Sequence, residues 1–142
     1  MSRLYPLMQQ VIEAWQAKDV EQVLSRLDEE IVWHYAAGAA PPVRGKAAAG
    51  RLLRRFQSDM HEIRWRIFAH AEDGDRLFIE GVDEYRTSEG LRIAAPYAGV
   101  LEFRGDLILG WRDYVDVGLL DRQRRGEPIS PYVEELLTRP GL

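Results

Sequence analysis

The sequence predicts an α+β fold in which three N-terminal helices pack on a strongly curved antiparallel sheet. Three observations lead there. Apolar residues recur at helical spacing through the first third of the chain, and the period drops to two from Glu62 onward. The two-period stretches are separated by the turn-formers Asp73-Gly74-Asp75, Ser88-Glu89-Gly90 and Gly105-Asp106.

Leu4, Leu7, Met8, Val11, Ile12 and Trp15 form one stripe, and Pro6 is tolerated only near a first turn, so the spacing predicts a helix from about Ser2 to Lys18. Asp19 can cap a second helix, with Gln22 reaching back and Val20, Val23, Leu24 and Leu27 on its buried side. Ile31 to Tyr35 reads as a short strand with Ile31, Trp33 and Tyr35 on one face and His34 on the other. A loop of small residues, 36–42, leads through Gly45-Lys46 to a third helix from Ala47 to about Asp59, where Leu52, Leu53 and Phe56 face inward.

Four long strands follow as a meander. Their apolar faces read Ile63, Trp65, Ile67, Ala69; Leu77, Ile79, Gly81, Asp83, Tyr85; Leu91, Ile93, Ala95, Tyr97, Gly99, Leu101; and Leu107, Leu109, Trp111, Asp113, Val115. The opposite faces are largely charged, as expected of a sheet covered on one side. Outward Phe68, Val82 and Val100 add apolar content suited to a homodimer contact.

Asp83 and Asp113 are the two charges on the apolar faces. A carboxylate in such a place finds hydrogen-bond donors or keeps its proton, which is how a catalytic acid or base is built; the alternative is a structural Asp that anchors a loop or pairs with a buried arginine. The turns set Asp83 opposite about Ala95 and Asp113 opposite about Tyr97, with Cα atoms ~10–12 Å apart across the central strand. Gly99 and Ala95 leave room above the sheet. Trp33, Tyr35, Trp65, Tyr85, Tyr97 and Trp111 would wall the space.

Composition narrows the function. Hydrophobic residues make up 46% and charged residues 30%, an ordinary globular balance, and the net charge of −4 argues against nucleic acid as a partner. The absence of cysteine excludes thiolate metal sites, disulfides and Cys nucleophiles. His34, His61 and His70 lack metal-ligand spacing, so no metal and no cofactor is expected. No stretch approaches 18 apolar residues and no leader is evident, which makes the expectation a cytoplasmic protein without a membrane partner.

The segment Gly110-Trp111-Arg112-Asp113-Tyr114-Val115-Asp116, with Gly99-Val100-Leu101 and Glu80-Gly81-Val82-Asp83, resembles the limonene-1,2-epoxide hydrolases of the SnoaL-like, nuclear-transport-factor-2-like superfamily. The resemblance runs through nearly the whole chain and implies a single domain over 1–142, shaped as a cone with an internal pocket. It also implies that Asp113 activates a water, that Asp83 donates a proton to the epoxide oxygen, and that no covalent intermediate forms.

Three positions depart from the family. Gly81 falls on an arginine that bridges both carboxylates, and the water-holding Tyr and Asn fall on Trp33 and Tyr35, of which Tyr35 alone can still hold a water. The implied pocket is lined by Trp33, Phe56, Trp65, Gly81, Tyr85, Tyr97, Trp111 and Val115, and an arginine placed at residue 81 would reconnect the two aspartates. The expected ligand is a small hydrophobic molecule and the expected assembly a homodimer, as in similar folds. Within the same superfamily, cyclase or ketosteroid-isomerase-type proton transfer, or non-catalytic binding of a hydrophobic ligand, are the alternatives.

Overall fold

A computed structural model describes residues 2–142. Its elements run α1 (Tyr5–Gln16), α2 (Val20–Leu24), β1 (Leu27–His34), β2 (Val43–Arg44), α3 (Lys46–Asp59), β3 (His61–Asp73), β4 (Arg76–Arg86), β5 (Arg92–Arg104), β6 (Leu107–Val115), α4 (Val117–Arg124) and α5 (Pro131–Leu137). The six strands lie in the order β2-β1-β6-β5-β4-β3, with β1 parallel to β6 and the other neighbours antiparallel.

Helix α1 begins later than its apolar pattern suggests, because its first turn is capped from the sheet. The backbone N–H groups of Leu4 and Tyr5 donate to Glu72 Oε1 on β3 at 2.8 and 3.2 Å, and the Ser2 hydroxyl donates to the same oxygen. These donors hold the Glu72 carboxyl down at about 2. Asp19 caps α2 by accepting from the Gln22 N–H at 3.1 Å. The stripes of α1, α2 and α3 pack with Leu27, Ile31, Ile63, Ile67, Leu77, Ile79, Ile93, Leu101 and Ile108 to form the main core.

The meander is present, with corrections caused by bulges. In β3 the pairing passes from Ile67↔Gly81 to Ala69↔Glu80, which leaves Phe68 as the extra residue. Beyond it the faces exchange. Ala69 is exposed instead of inward, Phe68 is buried on the outer side, and His70 turns inward to stack on Tyr5 with ring centroids 4.1 Å apart. In β6 the pairing passes from Glu102↔Gly110 to Phe103↔Ile108, so Leu109 is extra and Ile108, rather than Leu107 or Leu109, enters the core. The same bulge moves Asp113 opposite Gly99 instead of Tyr97, while Asp83 stands opposite Ala95.

Two further helices follow the sheet. Asp116 caps α4 by accepting from Leu119 N–H, and Ser130 caps α5 ahead of Pro131. Gln123 of α4 is buried and its amide pairs with both the N–H and C=O of Ala94 at 2.9 and 3.1 Å. It serves the edge of β5 where β6 has ended, since β6 pairs with β5 only from Tyr97 onward. On the outer face Val133, Leu119, Ile129 and Leu137 cover Phe68, Val82 and Ala94. Phe68 and Val82 are therefore occupied by the chain's own C-terminal helices, and Phe78 and Tyr114 are the exposed aromatics of the uncovered part.

Candidate active site

The concave side of the sheet encloses a cavity of about 300 Å³ between the strands, α1–α3 and α4. Asp113 reaches it from β6. Its cross-strand partner Gly99 has no side chain, and a Cβ there would stand 2.9 Å from Asp113 Oδ1, so the glycine provides the carboxyl with its berth. The indole N–H of Trp111, two residues earlier on the same face, donates to that oxygen at 3.0 Å. Burial pushes the Asp113 carboxyl up to about 7, the Trp111 N–H works against that rise, the charge of Asp83 adds to it, and the N–H of Trp33 pulls weakly downward.

Asp83 enters from β4 and is buried without a donor: its Oδ1 has no partner among the described residues. Burial alone raises it to about 7. The two carboxyls differ in setting. One is held by an N–H and the other is bare, and the pair titrates as a pair.

Tyr97 lies between them on β5, with Ala95 and Gly99 as its neighbours on the same face. Its hydroxyl oxygen accepts the indole N–H of Trp65. Around these groups the aromatic wall is continuous: Trp111 packs on Trp33 with centroids 5.5 Å apart and stacks on Trp65 at 6.0 Å, while Phe56 meets Trp33 and Tyr35 edge-on at 6.2 and 6.0 Å. Trp33 also brings a buried indole N–H that makes no hydrogen bond among the described residues.

Of the residues singled out in the sequence, Asp83, Asp113, Tyr35, Trp33, Phe56, Trp65, Tyr85, Tyr97, Trp111 and Val115 line this cavity. Gly81 does not. It lies beneath the β3 bulge, where an added Cβ would come 2.1 Å from the Arg66 carbonyl oxygen, so backbone fills the place a side chain would need. No arginine can reach between the aspartates from this position.

Helix α4 supplies the part of the wall that sequence reasoning missed: Val117, Leu120, Asp121 and Arg124. Arg124 is the cation of the cavity lining. It donates to the Tyr85 hydroxyl and sits 3.8 Å from Asp59. Burial pushes the Tyr85 phenol up to about 12 despite Arg124. The readable signal was the capping Asp116 followed by Val117, Leu119, Leu120 and Gln123 at helical spacing.

Residues 8–111 match the family model described as a SnoaL-like domain. The chain belongs to that family. No curated protein is recognisably similar in sequence. Among solved structures, this SnoaL-like chain is similar to an LEH-like epoxide hydrolase of M. tuberculosis, 24% identical, over 93% of this chain and 90% of that one, with a TM-score of 0.72. It is also similar to an NTF2-like protein of unknown function from Burkholderia pseudomallei, 19% identical over 87% and 98% of the two chains, TM-score 0.77. A candidate SnoaL-like polyketide cyclase from Shewanella denitrificans is 16% identical over 87% and 97%, TM-score 0.77. These likenesses show the fold alone, helices wrapped on a strongly curved sheet. No helix is long and apolar enough to cross a membrane among the described residues.

The SnoaL-like cavity can move protons. Both carboxyls are raised to about 7, so either can take up or release a proton near neutral pH, and the Trp111 N–H favours the ionised form of Asp113. Two titratable carboxyls thus face one apolar space.

Proposed function

We propose that the protein is a general acid–base enzyme that hydrolyses a small apolar epoxide by direct attack of water. The observation that carries this reading is the unequal setting of the two buried carboxyls, Asp113 beneath the Trp111 N–H and Asp83 bare. Asp113 takes a proton from a water held by Tyr35 as the water oxygen forms its bond to an epoxide carbon. The opposite C–O bond breaks, and Asp83 gives its proton to the departing oxygen, so that a diol leaves and one proton has crossed from Asp83 to Asp113. Return of that proton through solvent resets the pair. The aromatic wall and the volume of about 300 Å³ suit a hydrophobic substrate of terpene size.

Single turnover in ¹⁸O-labelled water tests the mechanism: the label appears solely in the diol. Label retained on the enzyme contradicts direct attack.

One observation favours a second reading. Among the described residues no guanidinium bridges the two carboxylates, and without one the same base can take a proton α to a carbonyl while Asp83 donates to the carbonyl oxygen, in an isomerisation or aldol-type cyclisation. Deuterium exchange into a polycyclic ketoester, with no hydrolysis of any terpene epoxide, selects it. Tight binding of such compounds with neither reaction selects a carrier of hydrophobic ligands. For the assembly we propose a homodimer through the uncovered outer face around Phe78 and its cross-strand partner Val100, with Tyr114 on the next strand.

A further inference from the structure

We propose that Tyr97 is a catalytic residue whose hydroxyl, backed by Trp65, hydrogen-bonds the substrate oxygen between Asp83 and Asp113. This rests on the acid–base reading above and adds a third group to it.

The register places Tyr97 midway. On the cavity face of β5, Ala95 stands opposite Asp83 and Gly99 opposite Asp113, and Tyr97 lies between these two small residues. Its own partners are Gly81 on β4 and Val115 on β6. Small residues thus surround a single large polar side chain at the point equidistant along the strand from the two carboxyls, in the gap left empty of arginine.

The hydrogen bonds of the phenol are half used. A tyrosine hydroxyl can accept and can donate one proton. Here the oxygen accepts from Trp65 Nε1, and the described residues offer no acceptor to the hydroxyl proton. Accepting a hydrogen bond strengthens a hydroxyl as a donor, because each bond polarises the next. Trp65 is itself fixed by stacking on Trp111, with an interplanar angle of 14°, and Trp111 holds Asp113. One row of aromatic rings therefore positions both the base and the phenol.

Burial and the charges of Asp113 and Asp83 raise the Tyr97 hydroxyl well above its ordinary value, against the pull of Trp65. It keeps its proton across the working range and is left to donate to the substrate. In the ring opening it stabilises the oxygen that gains negative charge while Asp83 delivers the proton to it; no bond to Tyr97 breaks.

Tyr97→Phe in the full chain tests this with two readouts. With an epoxide that the wild type turns over, kcat falls about 10²–10³-fold and KM changes little, the behaviour of a donor aimed at the transition state. Cyclohexanecarboxamide, a neutral ligand that presents a carbonyl oxygen, binds the variant about tenfold more weakly by calorimetry. The amide readout stands apart from turnover. If no epoxide or ketone reacts but the amide still distinguishes Tyr97→Phe, the reaction class is wrong and Tyr97 stands as the donor to a bound oxygen, without the catalytic role. Equal kcat in both proteins, or amide binding to the wild type no tighter than to Tyr97→Phe, overturns the proposal. Trp65→Phe supplies the check if Tyr97→Phe does not fold: loss of the backing N–H lowers kcat about 3–10-fold at unchanged KM, and an unchanged kcat overturns the role of the pair.

Discussion

Gly99 and Asp113 face each other across β5 and β6, and the missing side chain of one is the space occupied by the carboxyl of the other. A Cβ at residue 99 would meet Asp113 Oδ1 at 2.9 Å and an Ile79 methylene at 3.3 Å. Gly99→Ala must therefore turn the carboxyl away from Trp111. The backbone there is extended, so the fold tolerates the change at a cost of about 1 kcal/mol. Activity falls about 10–100-fold, because a base displaced by a fraction of an ångström no longer meets its proton. Thermal melting beside kcat/KM separates the two effects.

Gly81 should behave in the opposite way. The Arg66 carbonyl oxygen 2.1 Å from a Cβ is backbone held in a bulge, and it cannot swing aside as a side-chain tip does. Gly81→Ala is expected to destabilise the protein by about 2 kcal/mol or more, and Gly81→Arg to lose stability without any gain in epoxide hydrolysis. Denaturant titration reads the first and a product assay the second. A Gly81→Arg protein of normal stability and higher activity would show that residue 81 opens into the cavity after all.

The pH dependence of stability carries a definite sign. Asp83 sits at about 7 in the fold against 3.8 in the open chain, so between these values the folded form holds a proton that the unfolded form has released. The contribution of this group is complete below pH 3.8, is lost as pH rises toward 7, and is constant above. From pH 5 to pH 8 the wild type should lose about 2–3 kcal/mol through Asp83. Asp113, also raised to about 7, adds a slope of the same sign, so Asp83→Asn should shrink the pH dependence without abolishing it, as urea titrations at the two pH values would show.

Glu72 acts with the reverse sign. Its carboxyl, lowered from 4.5 to about 2 chiefly by the Ser2 hydroxyl and then by the N–H groups of Leu4 and Tyr5, contributes stability above pH 4.5 that is lost as pH falls toward 2. Glu72→Ala removes the cap of α1 and should cost about 1 kcal/mol at pH 7. The difference from the wild type should shrink in acid, measured by thermal unfolding across pH 2.5–7.

The faces of the long strands were legible because alternation is a direct consequence of backbone geometry, and Trp111, Asp113 and Val115 keep it to the end of β6. The bulges at Phe68 and Leu109 were not legible. Each adds one residue without altering local composition, and each reverses the faces on one side of it, which is why Ala69, Leu107, Leu109 and the partner of Asp113 were misplaced. Gly81 could be recognised as a departure from the family, but the carbonyl that occupies its side-chain space belongs to a residue of another strand. Helices α4 and α5 went unread although Asp116 and the Ser130-Pro131 pair announce them, because their apolar stripes are short and partly replaced by the amide of Gln123 and the guanidinium of Arg124.

The protonation of Asp83 and Asp113 is measured most directly by following the side-chain carboxyl ¹³C resonances of labelled aspartate from pH 4 to pH 9. Two carboxyls should titrate near neutral pH, one lost in Asp83→Asn and the other in Asp113→Asn. Two carboxyls already ionised at pH 5 would contradict the account, since neither could then act as the acid.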